Sequence, residues 1–287
     1  MNNRAIGCIL ASLLLAATAS CNENGRGPAV DKSSNQLKLT VVYDNHSGAE
    51  GLKPAWGFAC VVEGLEKTIL FDTGGDAPTL LANMAKLGLR PQDVEVVVLS
   101  HAHGDHTGGL RGFLEANSRV MVYLLDSFPA GLRNDARRRG ADVVDVSGPT
   151  QLCAGATVTG EILGEAGIPE QSLVLRGNAG AAVVTGCAHP GIVRIVERAK
   201  ALTEVEVLLA LGGFHLSGDS DDSIRGVVSR LRQLGVRYAA PCHCSGDRAI
   251  ELFADAYGDR FVPCVVGTVL DVGRMINGTG IEEGRGK

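Results

Sequence analysis

Aromatic side chains are scarce in this chain: Phe, Trp and Tyr together make up 4% of its 287 residues, with a single tryptophan. That leaves no evident platform for stacking nucleic-acid bases. Positive charge is short as well. Lys and Arg number 27 against 32 Asp and Glu, for a net charge of −5. The one compact basic group, Arg137-Arg138-Arg139, reads as a solvated helix end. A nucleic-acid backbone is therefore not expected as substrate or partner. The apolar run Ala5 to Ala17 is too short to span a bilayer comfortably. There is also no internal repeat at short period. What remains is a chain with 45% hydrophobic residues, ample for one sizeable core and one catalytic domain.

The N-terminus reads as an export signal rather than part of the fold. Arg4 supplies a short positive region, the apolar run follows, and Thr18-Ala19-Ser20 places small residues before Cys21. This resembles a bacterial lipoprotein signal, in which Cys21 becomes the acylated first residue; Thr18 departs from it, since Leu is usual there. The other readings are ordinary signal-peptidase cleavage or a retained anchor. The expected organisation is a signal peptide at 1–20, a flexible polar tether at 21–36 and one catalytic domain at 37–287. The expected location is the cell envelope or periplasm, anchored to a membrane through Cys21.

The richest chemistry lies in Ser100-His101-Ala102-His103-Gly104-Asp105-His106-Thr107-Gly108-Gly109-Leu110. It follows the apolar run Val94 to Leu99, so these side chains sit where a buried strand ends and a turn begins. His101 and His103, two apart in extended chain, can point at one metal. Asp105 and His106 can face a second. Imidazole with carboxylate suits zinc and similar cations. Gly104, Gly108 and Gly109 permit a tight turn. Three more histidines follow apolar runs: His189 after Ala181–Thr185, His215 after Val205–Leu211 and His243 after Tyr238–Ala240. Strand ends of this kind gather functional groups in open α/β sheets. His46 alone lies outside such a motif.

HxHxDH followed by TGGL is the metal signature of the metallo-β-lactamase superfamily, which the chain resembles over nearly everything after residue 37. Leu70-Phe71-Asp72-Thr73-Gly74 is similar to the family's upstream strand end, whose Asp supports the metal ligands from behind. Gly186-Cys187-Ala188-His189 and Pro241-Cys242-His243-Cys244 resemble its two later histidine motifs. The phrases VVYDN, GGFHL and PCHCSG most resemble a branch containing an archaeal dihydropterin–ribofuranosylaminobenzene phosphate synthase and many metal-dependent hydrolases.

The resemblance implies an α/β (α+β) fold, an αββα sandwich of two mixed sheets with helices outside. It implies two divalent metal ions, zinc first, with iron or manganese as alternatives. One would be held by His101, His103 and His189, the other by Asp105, His106 and His243, with Asp72 orienting a ligand. Such a pair activates water and polarises the bond under attack, and Asp105 would act catalytically as well as coordinate. Many members also carry a bridging Asp, whereas no Asp ends the Val205–Leu211 run here. Either His215 replaces it or His215 serves the substrate; the reading taken is a substrate-binding or acid–base residue.

After the signal, Cys60, Cys153, Cys187, Cys242, Cys244 and Cys264 remain. Cys242 and Cys244 are too close in sequence to bridge each other without strain. Cys187, Cys242 and Cys244 lie within two residues of ligand histidines, either as soft ligands or, the favoured reading, as small residues packed behind them.

Strands are expected at Leu37–Tyr43, Gly57–Val62, Lys67–Phe71, Val94–Leu99, Val120–Leu125, Ala181–Thr185 and Val205–Leu211. Irregular β structure is expected over Asp142–Leu175, with Arg260–Val266 closing a sheet. Helices are expected near Pro78–Leu87, Leu110–Glu115, Ile192–Leu202, Asp221–Leu234 and Gly246–Tyr257. Asn45–Trp56 and Asp126–Arg139 are expected as specificity loops. The functional expectation is an exported dinuclear hydrolase of a small-molecule ester, lactone, lactam or phosphoester. Alternatives are synthase-like joining of a pterin to an aminobenzene ribose phosphate, β-lactamase activity, and a non-catalytic metal-binding lipoprotein.

Overall fold

The computed structural model describes residues 37–164 and 167–278. The expected signal, tether and Cys21 lie outside the described residues. The seven-stranded sheet is built from β1 (Lys38–Tyr43), β2 (Ala59–Glu63), β3 (Ile69–Phe71), β4 (Val96–Val98), β5 (Met121–Leu125), β6 (Asp142–Val146) and β15 (Val269–Asp271), in the order β15-β1-β2-β3-β4-β5-β6. The six-stranded sheet is built from β7 (Thr150–Cys153), β8 (Ala156–Val158), β11 (Leu173–Arg176), β12 (Ala181–Thr185), β13 (Val207–Gly213) and β14 (Tyr238–Cys242), in the order β14-β13-β12-β11-β8-β7. A short ladder joins β9 (Ile162–Leu163) to β10 (Pro169–Glu170).

Period-two alternation explains how the sheets stack. On β12 and β13, Ala182, Val184, Leu209 and Leu211 join the core between the sheets. Ala181, Val183 and Ala210 belong instead to the outer core beneath the helices. Both faces are covered, which is why these strands read as continuous apolar runs. Outside the first sheet lie α1 (Ala77–Lys86), α3 (Leu110–Ala116) and α4 (Ala130–Arg138). Outside the second lie α5 (Ile192–Thr203), α6 (Asp221–Gln233) and α7 (Asp247–Tyr257). The expected αββα sandwich is what forms.

Local signals set the helix ends. Asp76 caps α1 by accepting the Thr79 N–H at 2.7 Å. On α5 the anticipated apolar face of Ile192, Ile195, Val196 and Ala199 is buried. Ser220 caps α6, whose first turn carries Asp221 and Asp222 and whose last carries Arg230 and Arg232, as the helix dipole favours. No helix of the described residues is long and apolar enough to cross a membrane.

Two expectations are corrected. Residues 260–266 do not form the closing strand; they hold two isolated bridges, Ala239 to Phe261 and Ser47 to Val266, and β15 closes the sheet against β1. Pro263, lacking an N–H, cannot continue a ladder. Asp126–Arg139 is not a specificity loop but largely the helix α4. That helix buries only Ala136 and is anchored by the Arg133 guanidinium to Asp145 and to the backbone of Leu125 and Asp126.

What positions chemistry is strand direction. β3 to β6 run parallel, as do β12 to β14. Their C-terminal ends meet at one edge of the sandwich, where segments from both sheets can converge.

Candidate metal centre

Each histidine singled out above stands just past a strand except His106, which with Asp105 lies on the one-turn helix α2 (Gly104–Thr107). His101 and His103 follow β4, His189 follows β12, His215 follows β13 and His243 follows β14 directly. The fold brings His101, His103, Asp105, His106, His189 and His243 into one cluster. His101 Nε2 lies 3.1 Å from His103 Nδ1, and its ring centroid lies 4.8 Å from that of His189. His106 Nε2 lies 3.2 Å from His243 Nε2, and Asp105 Oδ2 lies 3.3 Å from the same His243 atom. The His101 and His106 rings, one from each set, are 4.2 Å apart. His215 packs against His189 at 4.4 Å. His46 stays outside, facing Asp44 and Asp247.

Hydrogen bonding on the far side of each ring determines which nitrogen faces the cluster. His106 Nδ1 lies 2.7 Å from Asp72 Oδ2, an acceptor, so that nitrogen carries the proton. His243 Nδ1 lies 3.1 Å from Asn45 Oδ1, whose amide is oriented by its own Nδ2 donating to the His243 carbonyl. The Ser100 hydroxyl donates to Asp72 and so accepts from His101 Nδ1, 2.9 Å away. In these tautomers the inward nitrogens of His101, His106 and His243 are bare lone pairs. Bare nitrogens about 3.3 Å apart are what a tetrahedral cation with bonds of about 2.0–2.1 Å requires. His189 Nε2 is buried with no hydrogen-bond partner, the condition of an atom that awaits a ligand. The residues present therefore fit two metal ions.

The electrostatics agree. Burial, followed by the neighbouring histidines, drives His101 far below its ordinary pKa. His189 falls to about 4 through burial and then His215 and His103. Both are thus neutral ligands-in-waiting. At His106 burial opposes charge, but Asp72 and Asp105 outweigh it and raise the pKa. A field that favours a proton there also favours a cation. Asp105 is held well below the carboxylate range: burial opposes ionisation, but His243 and His106 prevail.

Three buried carboxylates hold the loops. Asp72 accepts the Ser100 N–H and hydroxyl at 2.7 Å each as well as His106, so it reaches one set directly and the other through the Ser100 hydroxyl beside His101. Asp44 accepts the His243 and His46 N–H groups, both at 3.0 Å. Glu170, raised to about 7 by burial, accepts four consecutive amides, those of Gly186, Cys187, Ala188 and His189. Asp44, Asn45, Ser100 and Glu170 were missed by the sequence reading.

Backbone strain is concentrated at the same place. Among the described residues, the non-glycine positions with left-handed φ are Asp72, Ala188, His215 and His243, all at the cluster, and Glu204, which ends α5. The glycines of the motif divide by role. A Cβ on Gly108 or Gly109 would lie 2.1 Å from the Gly75 or Thr73 carbonyl oxygen, whereas one on Gly104 would meet nothing. Close approach, not φ, therefore demands glycine at 108 and 109.

The structure also separates the three cysteines. Cys242 turns into the core toward Cys264. Cys187 Sγ lies 3.2 Å from His106 Nε2. Cys244 faces Cys187 and His215; the hydrogen bond between the two thiols favours ionisation at Cys244, with His215 assisting against burial, and together with burial raises the Cys187 thiol. Packing behind the ligands is thus the place of Cys242 only.

Beside His243 opens a cleft of about 330 Å³ lined by Asn45, His46, Trp56, Ser217, Gly246 and Asp247. The Asn45–Trp56 segment contributes Asn45, His46 and Trp56 to its lining. Trp56 is 61% exposed and its ring lies 4.9 Å from that of His243. A larger groove of about 590 Å³ between α6 and α7, lined by Arg225, Arg232 and Leu252, contains no ligand-type side chain.

The chain is similar to known proteins over this whole region. It is 26% identical to a 7,8-dihydropterin-6-methyl-4-(β-D-ribofuranosyl)-aminobenzene-5′-phosphate synthase of Methanocaldococcus jannaschii, covering 82% of this chain and 97% of that one. It is 28% identical to an uncharacterized protein of the same archaeon, covering 75% and 93%. The crystal structure of a metal-dependent hydrolase of the β-lactamase superfamily matches with TM-score 0.67 and 26% identity, over 82% of this chain and 98% of that one. The model of the metallo-β-lactamase superfamily matches residues 57–243, from the Asn45–Trp56 border of the cleft to the last histidine of the cluster. The chain belongs to the metallo-β-lactamase superfamily.

Proposed function

We propose that this protein is an exported, lipid-anchored dinuclear metallo-hydrolase acting on a small molecule with an ester, lactone, lactam or phosphoester bond. The observation that carries the reading is the convergence of two complementary donor sets, with bare inward nitrogens, beside an open cleft. His101, His103 and His189 would hold one cation; Asp105, His106 and His243 the other. Bound there, such a pair supplies a nucleophile from water near neutral pH and polarises the bond under attack. Asp105, ionised and half-buried, can also accept a hydrogen bond from the incoming water. Trp56 offers a flat apolar wall to a substrate entering from the cleft, and Asn45 and Asp44 keep His243 aimed at the cluster.

His215 is assigned to substrate binding or proton transfer. His215 is exposed, its ring lies 4.4 Å from that of His189, and its donor atom groups with Cys187 and Cys244 rather than with either histidine set. His215→Ala should keep both metals while turnover falls about 10²–10⁴-fold. Metal analysis and kcat on the same preparation check this; loss of one metal equivalent would make His215 a ligand.

A second reading, synthase chemistry on a pterin and an aminobenzene ribose phosphate, is favoured by the 26% identity to the archaeal synthase. Export weighs against it, because phosphorylated precursors of that kind belong in a cytoplasm. One experiment separates the readings: metal-loaded protein is given chromogenic ester, phosphodiester, lactone and cephalosporin substrates, and in parallel the pterin and ribose phosphate pair. Turnover in the first arm supports the hydrolase; turnover in the second alone replaces it.

Anchoring rests on Arg4, the apolar run and Cys21. In a bacterial host the full chain should fractionate with membranes and take up labelled fatty acid, and Cys21→Ser should do neither. Several acyl chains are needed for stable attachment, since one alone binds weakly. Recovery of intact Met1 on cytosolic protein would contradict export.

A further inference from the structure

We propose that the thiolate of Cys187 is the anionic ligand shared by the two metal positions, taking the place that a bridging carboxylate would hold. The proposal rests on the dinuclear reading and adds to it a non-histidine ligand from within the Gly186-Cys187-Ala188-His189 motif.

The first ground is placement. The donor atoms of His101, Cys187 and His189 all lie within 4.8 Å of one another, and so do those of His106, Cys187 and His243. Cys187 is the member common to both groups, and its sulfur is 3.2 Å from His106 Nε2. Cys244 belongs to neither; it groups only with Cys187 and His215. A sulfur reached from both histidine sets stands between them.

The second ground is elimination. Two cations a few ångströms apart repel strongly at low dielectric, and an anion between them offsets that repulsion. No Asp ends β13 to supply one. Of the buried carboxylates around the site, Asp72 is occupied by Ser100 and His106. Asp44 is occupied by the His46 and His243 amides, and Glu170 by the four amides of the Cys187 loop. Asp105 lies on the side of His106 and His243. Of the two buried thiols here, Cys187 and Cys244, Cys187 is the one whose sulfur groups with both histidine sets.

The third ground is aim. Glu170 grips the backbone on both sides of Cys187, and the left-handed φ of Ala188 turns the chain immediately after it. The grip that also holds the His189 amide thus fixes the backbone from which the Cys187 side chain projects. On metal binding the S–H bond breaks, its proton leaves to solvent, and sulfur–metal bonds form. Thiolate is a strong ligand for zinc and for cobalt or iron in similar sites.

The test uses the full chain loaded with Co(II) or Zn(II). X-ray absorption at the zinc edge of unaltered protein should show a sulfur neighbour at about 2.3 Å beside nitrogen and oxygen. The Co(II) protein should show sulfur-to-cobalt charge-transfer absorption in the near-ultraviolet. Cys187→Ser should lose that band and bind the second equivalent at least about tenfold more weakly. Cys187→Asp should restore two equivalents without the band, and Cys244→Ser should keep it. Two bound metals with no sulfur neighbour would overturn the Cys187 assignment and leave the dinuclear reading standing. Retention of the band in Cys187→Ser with its loss in Cys244→Ser would also overturn it. Protein that binds no metal at all would instead remove the reading beneath. The absorption measurement needs no variant, so a misfolded Cys187→Ser leaves the question decidable.

Discussion

Asp72→Ala should weaken metal binding at both positions at once. Asp72 orients His106 directly and His101 through the Ser100 hydroxyl, and these rings belong to different sets. Removing an outer partner of a ligating histidine costs about 10–100-fold in metal affinity or activity. With one residue serving both sets, activity at limiting metal should fall by on the order of 10³-fold. The buried Ser100 N–H and hydroxyl also lose their acceptor, at about 1–3 kcal/mol each. Asp72→Asn, with one acceptor oxygen left, should lie between. Titration of each variant with Zn(II), followed by activity, checks this. Loss confined to a single metal equivalent would show that Asp72 serves one set only.

Glu170→Ala should have the larger effect on stability. Its side chain is the acceptor for the amides of Gly186, Cys187, Ala188 and His189, all in a segment where water has little access. Each orphaned buried donor costs about 1–3 kcal/mol, although relaxation keeps the sum from being additive. A loss of about 4 kcal/mol or more is expected, in the range reserved for broken buried networks. Glu170→Gln retains an acceptor oxygen and should lose less. Urea unfolding of the metal-free chain measures this without interference from ligand binding. A Glu170→Ala change within about 1 kcal/mol of the parent would mean the loop holds its shape without the carboxylate.

The cluster was legible because HxHxDH is local: six residues fix their own relative geometry once the Val96–Val98 strand precedes them. His189 and His243 were legible by position, each following a short apolar run of the length and composition of a buried strand. The groups that hold these ligands in place were not. Glu170 sits in a short strand of a segment without clear period, and its partners come 16 to 19 residues later. Asp44 and Asn45 meet His243 across nearly the whole chain, at separations of 199 and 198 residues. No local pattern encodes such contacts. Cys187 was visible as a residue but not as a direction, and only the folded loop turns it inward while Cys242 turns away. α4 was hidden for the opposite reason: it buries one small residue and is held by ion pairs, so it carries no apolar stripe for the helical period to reveal. The closing strand was misplaced because Val262 to Val266 has β-type residues, yet Pro263 interrupts any ladder there.

The proposed dinuclear hydrolase requires two cations in this cluster for turnover. The direct measurement is elemental analysis of the gently purified full chain, paired with hydrolysis of the substrate panel before chelation, after it, and after metal is returned. About two transition-metal ions per chain are expected, zinc foremost, with activity abolished by chelation and restored by zinc, iron or manganese. Protein that retains and accepts no metal, or that turns over substrate equally well after complete chelation, would contradict it.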